Sequence, residues 1–263
     1  MSPETAFELQ EGRIWIEARV SGRSAWGIFD TGADGTALDS EFAQSIGLRG
    51  LGSKSASTVA ADVEVEKIGR VEFDIGGMPV LSPEAHALPL SKQLKDLRFI
   101  LGFDVLGNAP FVIMPERKRI TFEWPEECRG LPFVVDSDIR PTARLEVLGH
   151  LSYGSIDTGS AQGISLPRRW VEANATRLGI SSGVEESKEI LGGTVKSLKF
   201  TLEEMILGDS TLRMVPANAV ESEEGSFAEQ SSLWGNVGNQ VLQRFESIAI
   251  DGKGRRMAFE LTS

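Results

Sequence analysis

The 263-residue chain holds one cysteine, two histidines and one tyrosine, and no apolar run approaches the roughly 18 residues of a membrane-spanning helix. A lone thiol, Cys128, makes no internal disulfide, and with only His86 and His150 beside it there is no Cys/His cluster for a metal. Thiol-dependent and zinc-dependent hydrolysis therefore lose ground. Positive charge is also scarce: 27 Lys and Arg stand against 38 Asp and Glu, a net charge of −11, with no basic block among them. Such a surface repels phosphate backbones and anionic lipids, so neither nucleic acid nor a membrane is an expected partner. The opening residues, Met1 to Ala6, lack the basic end and apolar stretch of a signal peptide. The expected compartment is the cytoplasm, or the periplasm or exterior if an export signal has been removed.

What is present is an ordinary globular composition, 41% apolar and 25% charged, in a length that suits one large domain or two small ones. An internal repeat decides between them. Val20, Gly22, Gly27, Asp30, Thr31 and Gly32 recur as Val147, Gly149, Gly154, Asp157, Thr158 and Gly159, each 127 residues on, without a gap. Three further matches follow in the same order: Ile46-Gly47-Leu48 with Leu178-Gly179-Ile180, Leu101-Gly102 with Val237-Gly238, and Arg119 to Glu123 with Arg256 to Glu260. The offset grows slowly along the chain. Two related units are expected, residues 1–128 and 129–263, with Cys128 in the connector.

Each unit opens on alternating polar and apolar residues. Arg13 to Val20, a turn at Gly22, and Ala25 to Phe29 predict a β-hairpin; Ala143 to Val147, Gly149, and Leu151 to Ile156 predict a second. A short helix is expected after each, over Asp39 to Ile46 and Pro167 to Leu178, stopped by Gly47 and Gly179. β-rich stretches around 58–80 and 189–215 come next, then a helical turn starting at Asp104 and at Gln240, then closing strands. The fold class is mostly β with short helices.

Both Asp-Thr-Gly triplets fall where a strand ends in a turn. One copy alone is a common turn former. A fold that needed only a turn would not require the same acid twice, at the head of each repeat. Two carboxylates held close cannot both ionise, so they share a proton. The charged one can then take a proton from water while the neutral one polarises a carbonyl. Such hydrolysis needs no metal and no cofactor. The Thr hydroxyls, Thr31 and Thr158, are expected to brace the turns, and Gly32 and Gly159 to let backbone approach the carboxyls and the substrate.

With these residues the chain resembles the pepsin and retropepsin superfamily of aspartic proteases. Asp30-Thr31-Gly32-Ala33-Asp34 is similar to the signature of retroviral-type proteases, and Asp157-Thr158-Gly159-Ser160 to the pepsin form. Ile100-Leu101-Gly102 resembles the family's apolar-apolar-Gly element, and Asn236-Val237-Gly238 resembles it with Asn in place of the first apolar residue. The resemblance implies a bilobal acid-protease fold of two homologous β-barrel-like lobes and a monomeric endopeptidase acting on peptide or protein substrates. Asp30 and Asp157 would be catalytic, and Gly102 and Gly238 would pack behind the turns. It further implies that Asp34, Gly32 and Gly159 line the peptide site. A flap from Thr58 to Val65, or from Leu191 to Thr194 with Gly192 and Gly193 at its tip, would cover it.

The tyrosine that pepsin-like enzymes carry on the flap is missing. Tyr153, the only tyrosine, aligns with Trp26, and both are expected in the core. A binding module that keeps this fold without turnover is the alternative function. A phosphatase loop of the D-x-D-G-T kind fits poorly, because Asp30 and Asp34 are four residues apart. Ser160 stands where the first copy has Ala33. A hydroxyl donated from Ser160 to Asp157 would leave the shared proton on Asp30 and make Asp157 the base. The acidic patches at Glu185-Glu186 and 221–224 are expected at the surface, as are His86 and His150.

Overall fold

A computed structural model describes residues 3–57, 62–126, 128, 130–135, 140–180, 184–190, 193–221 and 232–262. The first half runs β1 (Glu4–Gln10), β2 (Arg13–Val20), β3 (Arg23–Phe29), β4 (Ala37–Asp39), α1 (Ser40–Ser45), β5 (Ser53–Ser57), β6 (Asp62–Ile75), β7 (Met78–Leu88), β8 (Phe99–Leu101), α2 (Phe103–Leu106), β9 (Phe111–Met114) and β10 (Arg119–Thr121). The second runs β11 (Leu131–Pro132), β12 (Val134–Val135), β13 (Pro141–Val147), β14 (His150–Ile156), β15 (Ile164–Pro167), α3 (Arg168–Ala173), β16 (Val184–Ile190), β17 (Gly193–Leu207), β18 (Ser210–Glu221), β19 (Gly235–Val237), α4 (Asn239–Leu242), β20 (Phe245–Asp251) and β21 (Arg256–Leu261). The chain is mostly β, with brief helices. No helix among the described residues is long and apolar enough to cross a membrane.

The hairpins form as the sequence predicts. In β2 the buried and exposed positions alternate from Ile16 to Val20, and the tight turn to β3 places both Ser21 and Gly22 at positive φ, 48° and 85°. That pairing matches the right-handed strand twist, and the second hairpin repeats it at Leu148 and Gly149. Helix α1 starts where the Asp39 carboxylate accepts the Phe42 N–H at 3.2 Å, and Gly47, at φ 83°, ends the turn. Helix α3 is shorter than expected: it ends at Ala173, and turns carry the chain on to Gly179.

The repeat is written into the sheets. The second sheet has the order β12-β13-β14-β19-β15-β18-β17-β16, and the first contains the matching run β1-β2-β3-β8-β4-β7-β6-β5. Pairing directions correspond as well. β3–β8 and β4–β7 are parallel, as are β14–β19 and β15–β18.

The expected closing strands form as β10 and β21, and they lie in one sheet. β9 pairs with β20 through Ile113↔Ile248, so β11, β21 and β20 continue the first-half sheet in the order β11-β21-β20-β9-β10-β1. An exposed strand edge invites pairing, and here the two edges satisfy each other. Beneath them one apolar cluster unites the halves, with Phe29 edge-on to Phe111 at 5.1 Å and Val237, Phe245 and Met257 joining from the second half. A smaller cluster lies apart from it in the first half, where Trp15, Ile28, Leu90 and Leu97 pack with Trp26 and Ile100.

Candidate active site

The two Asp-Thr-Gly turns meet between the halves. Asp30 follows β3 and Asp157 follows β14, and each backbone N–H is fixed by the neighbouring parallel strand: Asp30 N–H donates to Leu101 at 3.0 Å, Asp157 N–H to Val237 at 2.9 Å. Both carboxyls are half-buried, and they lie close enough for the charge of one to act on the other.

Thr31 and Thr158, both fully buried, lock the turns together. The Thr31 hydroxyl donates to the Ile156 carbonyl at 2.6 Å and accepts the Thr158 N–H at 3.1 Å. Reciprocally, the Thr158 hydroxyl donates to the Phe29 carbonyl and accepts the Thr31 N–H at 3.0 Å. Each hydroxyl thus satisfies one donor and one acceptor of the opposite half. Thr31→Val or Thr158→Val keeps the shape but strands two buried backbone groups, at about 1–3 kcal/mol each. Urea unfolding of either variant is expected to give a loss of about 2–6 kcal/mol.

The glycines make room. A methyl group on Gly32 would lie within 2.5 Å of Asp157 Oδ1, and one on Gly159 within 2.5 Å of Asp30 Oδ1. Each turn is therefore shaped around the carboxyl of the other half. Gly102 and Gly238 sit behind: a methyl on Gly102 would meet the Gly35 carbonyl at 2.6 Å, and one on Gly238 the Gln162 carbonyl at 2.6 Å.

The acids have different surroundings. Asp30 Oδ1 accepts the Gly32 and Ala33 N–H groups at 2.9 and 3.1 Å. Asp157 Oδ1 accepts only the Gly159 N–H, at 2.9 Å, while its Oδ2 accepts the Asn236 amide at 2.6 Å. Burial first, and then the Asp157 charge, hold the Asp30 carboxyl well above the ordinary carboxylate range.

Ser160, expected to donate to Asp157, instead has its hydroxyl accepting the Gln162 N–H at 3.3 Å. The donor that the sequence reading missed is Asn236. Its signal was present as the one polar residue in an apolar-apolar-Gly element.

Asp34 lies beside the first turn and pairs with Arg140 at 3.2 Å. Of the proposed flap, residues 58–61 and 191–192, including Gly192, lie outside the described residues; Gly193 opens β17 opposite Ile190. His150 and Glu185 are exposed as expected, Glu185 pairing with Arg168 at 2.7 Å. His86 is instead buried, because β7 runs beside β4 with His86 opposite Ala37. Tyr153 is not a core residue: half its surface is exposed, whereas Trp26 is covered by the small first-half cluster. Among the described residues no group of His, Cys, Asp and Glu is placed to hold a metal ion.

Residues 16–105, which include the first turn and its Leu101-Gly102 support, match the family model described as aspartyl protease. Over this third of the chain the protein is similar to aspartyl proteases. The match supports general aspartic protease activity, and with it peptide substrates. No curated protein matches the chain. The Asp-Thr-Gly turn inside the matched stretch recurs outside it, at Asp157 to Gly159.

Proposed function

We propose that the chain is a monomeric aspartic endopeptidase whose lobes, residues 1–128 and 129–263, each supply one aspartate to a cleft between them. The observation that carries this reading is the reciprocal fit of the turns, with Thr31 and Thr158 interlocked and each glycine packed against the carboxyl of the opposite half. Asp157, charged, takes a proton from a water lying between the acids. Asp30, neutral, gives its proton to the oxygen of the scissile carbonyl as the water attacks. The resulting tetrahedral diol collapses when the amine leaves with a proton, and the dyad regains its single shared one. No covalent intermediate forms. Gly32, Gly159 and the Asp34 neighbourhood present the backbone and charge that a bound peptide meets, with a flap hairpin closing over it.

This chemistry requires one proton on the pair. Activity falls at low pH, when the pair carries two protons, and at high pH, when Asp30 loses the proton that burial and the neighbouring charge hold on it. Incubation with a mixed peptide library from pH 3 to 7 and above, with products identified by mass spectrometry, is expected to show internal cleavage. The profile should be bell-shaped, with its upper limb above the ordinary carboxylate range. A statine-type transition-state mimic should abolish cleavage. Peptide binding without cleavage at any pH would overturn the proposal in favour of a binding module.

A further inference from the structure

The two halves differ systematically around the acids. In the first half, neighbouring strands align Trp15 with Ile28 and Ile28 with Ile100, and all three belong to the small apolar cluster. The corresponding register in the second half aligns Thr142 with Ser155 and Ser155 with Asn236. Three apolar positions have become three polar ones, and the last of them touches an acid. The Ser155 hydroxyl donates to Asn236 Oδ1 at 2.5 Å, which leaves the amide nitrogen to face Asp157 Oδ2 at 2.6 Å. An amide turned the other way would set its oxygen against Asp157 Oδ2, whereas the orientation present satisfies Asp157 and Ser155 together.

We infer that Asn236, whose amide oxygen is held by Ser155, is a positioning residue that makes the dyad asymmetric by holding Asp157 as the charged partner. The inference rests on the protease reading for its catalytic meaning. An amide donor favours the carboxylate over the neutral acid, and Ile100, the counterpart of Asn236, offers Asp30 no such donor. The ionisable side chain facing Asp157 is Asp30; the flanking strands present Ser155, Ile156, Asn236 and Val237, none of them charged. The shared proton is thereby kept on Asp30, where it is delivered to the carbonyl, and the water is activated at Asp157. This role replaces the one expected of Ser160, whose hydroxyl is engaged with the Gln162 N–H.

The test compares parent, Asn236→Leu and Ser155→Ala by pH-rate profile on one cleaved peptide, and by carbon-13 titration of the labelled Asp157 carboxyl. Asn236→Leu restores the apolar residue type of the first half. It is expected to move the acidic limb to higher pH by about one unit, a tenfold loss on that flank, with the plateau little changed. Ser155→Ala should shift it the same way by less, because the amide keeps its bond to Asp157 but loses the hydroxyl that holds its oxygen in place. The Asp157 carboxyl should titrate in parallel with the limb. A purely structural role for Asn236 would lower the plateau and leave both midpoints where they are, and that result would overturn the inference. If Asn236→Leu does not fold, an unmoved Asp157 midpoint in Ser155→Ala overturns it equally. Should the parent cleave no peptide, the protease reading fails, while the Asp157 titration still decides what Asn236 does.

Discussion

Asp30→Asn and Asp157→Asn are each expected to abolish peptide cleavage while leaving the chain folded. Removing one member of a general acid–base pair forfeits on the order of 10²–10⁴-fold in rate, and here neither member has a substitute. The two variants should differ in stability, which distinguishes this dyad from a symmetric pair. Burial and the Asp157 charge raise the folded-state value of Asp30 above its unfolded one. Stability linked to Asp30 is therefore fully present below the ordinary carboxylate range and is lost as pH rises through the interval up to the raised folded value. Asparagine at position 30 resembles the neutral acid at every pH and still offers an oxygen to the Gly32 and Ala33 N–H groups. Asp30→Asn should melt close to the parent at pH 3 and above it at pH 7. Asp157→Asn should gain nothing at pH 7, since it replaces a carboxylate that accepts from both Gly159 and Asn236. Melting curves of the three proteins at the two pH values, beside the peptide assay, test both halves of this expectation.

How far the sequence reached depends on where the relevant neighbours lie. Strand, turn and acid are adjacent in sequence at Phe29 to Gly32 and at Ile156 to Gly159, so the paired turns were legible as soon as the repeat was seen. The hairpin turns at Gly22 and Gly149 were legible for the same local reason. Asn236 was visible only as an irregularity, because its meaning comes from the parallel pairing of β19 with β14, between segments about 80 residues apart. The joining of β9 to β20 is longer-range still, and nothing in either strand's alternation names its partner. His86 misled because a polar residue near prolines reads as surface, yet β7 enters the sheet beside β4. Tyr153 misled by alignment: its position matches Trp26, but the covering cluster belongs to the first half. The difference between Trp15, Ile28 and Ile100 on one side and Thr142, Ser155 and Asn236 on the other shows where a duplicated fold has been made unequal.

The second large effect concerns the space between the turns. Gly32 and Gly159 are not among the glycines at positive φ, so backbone freedom does not explain them. What explains them is the carboxyl of the opposite half lying within 2.5 Å of where a methyl group would stand. Real Cβ atoms do not approach that closely, so in Gly159→Ala either Asp30 rotates away or the turns separate. Rotation breaks the bonds from the Gly32 and Ala33 N–H groups to Asp30 Oδ1; separation stretches the interlocked Thr31 and Thr158 bonds. Both routes pull the acids apart. A displacement of about 1 Å at reacting groups costs roughly 10²-fold in rate, so kcat/KM for Gly159→Ala and Gly32→Ala should fall at least that far. Overpacking should remove about 1–3 kcal/mol of stability in the same variants. Gly149→Ala supplies the contrast. No atom stands within 4 Å of its added methyl group, but φ is 78°, so it should lose about 1 kcal/mol of stability and keep its activity. If Gly159→Ala were as active as Gly149→Ala, the carboxyls would not meet across the turns in the working protein, and a mechanism in which they share a proton would fall with that result.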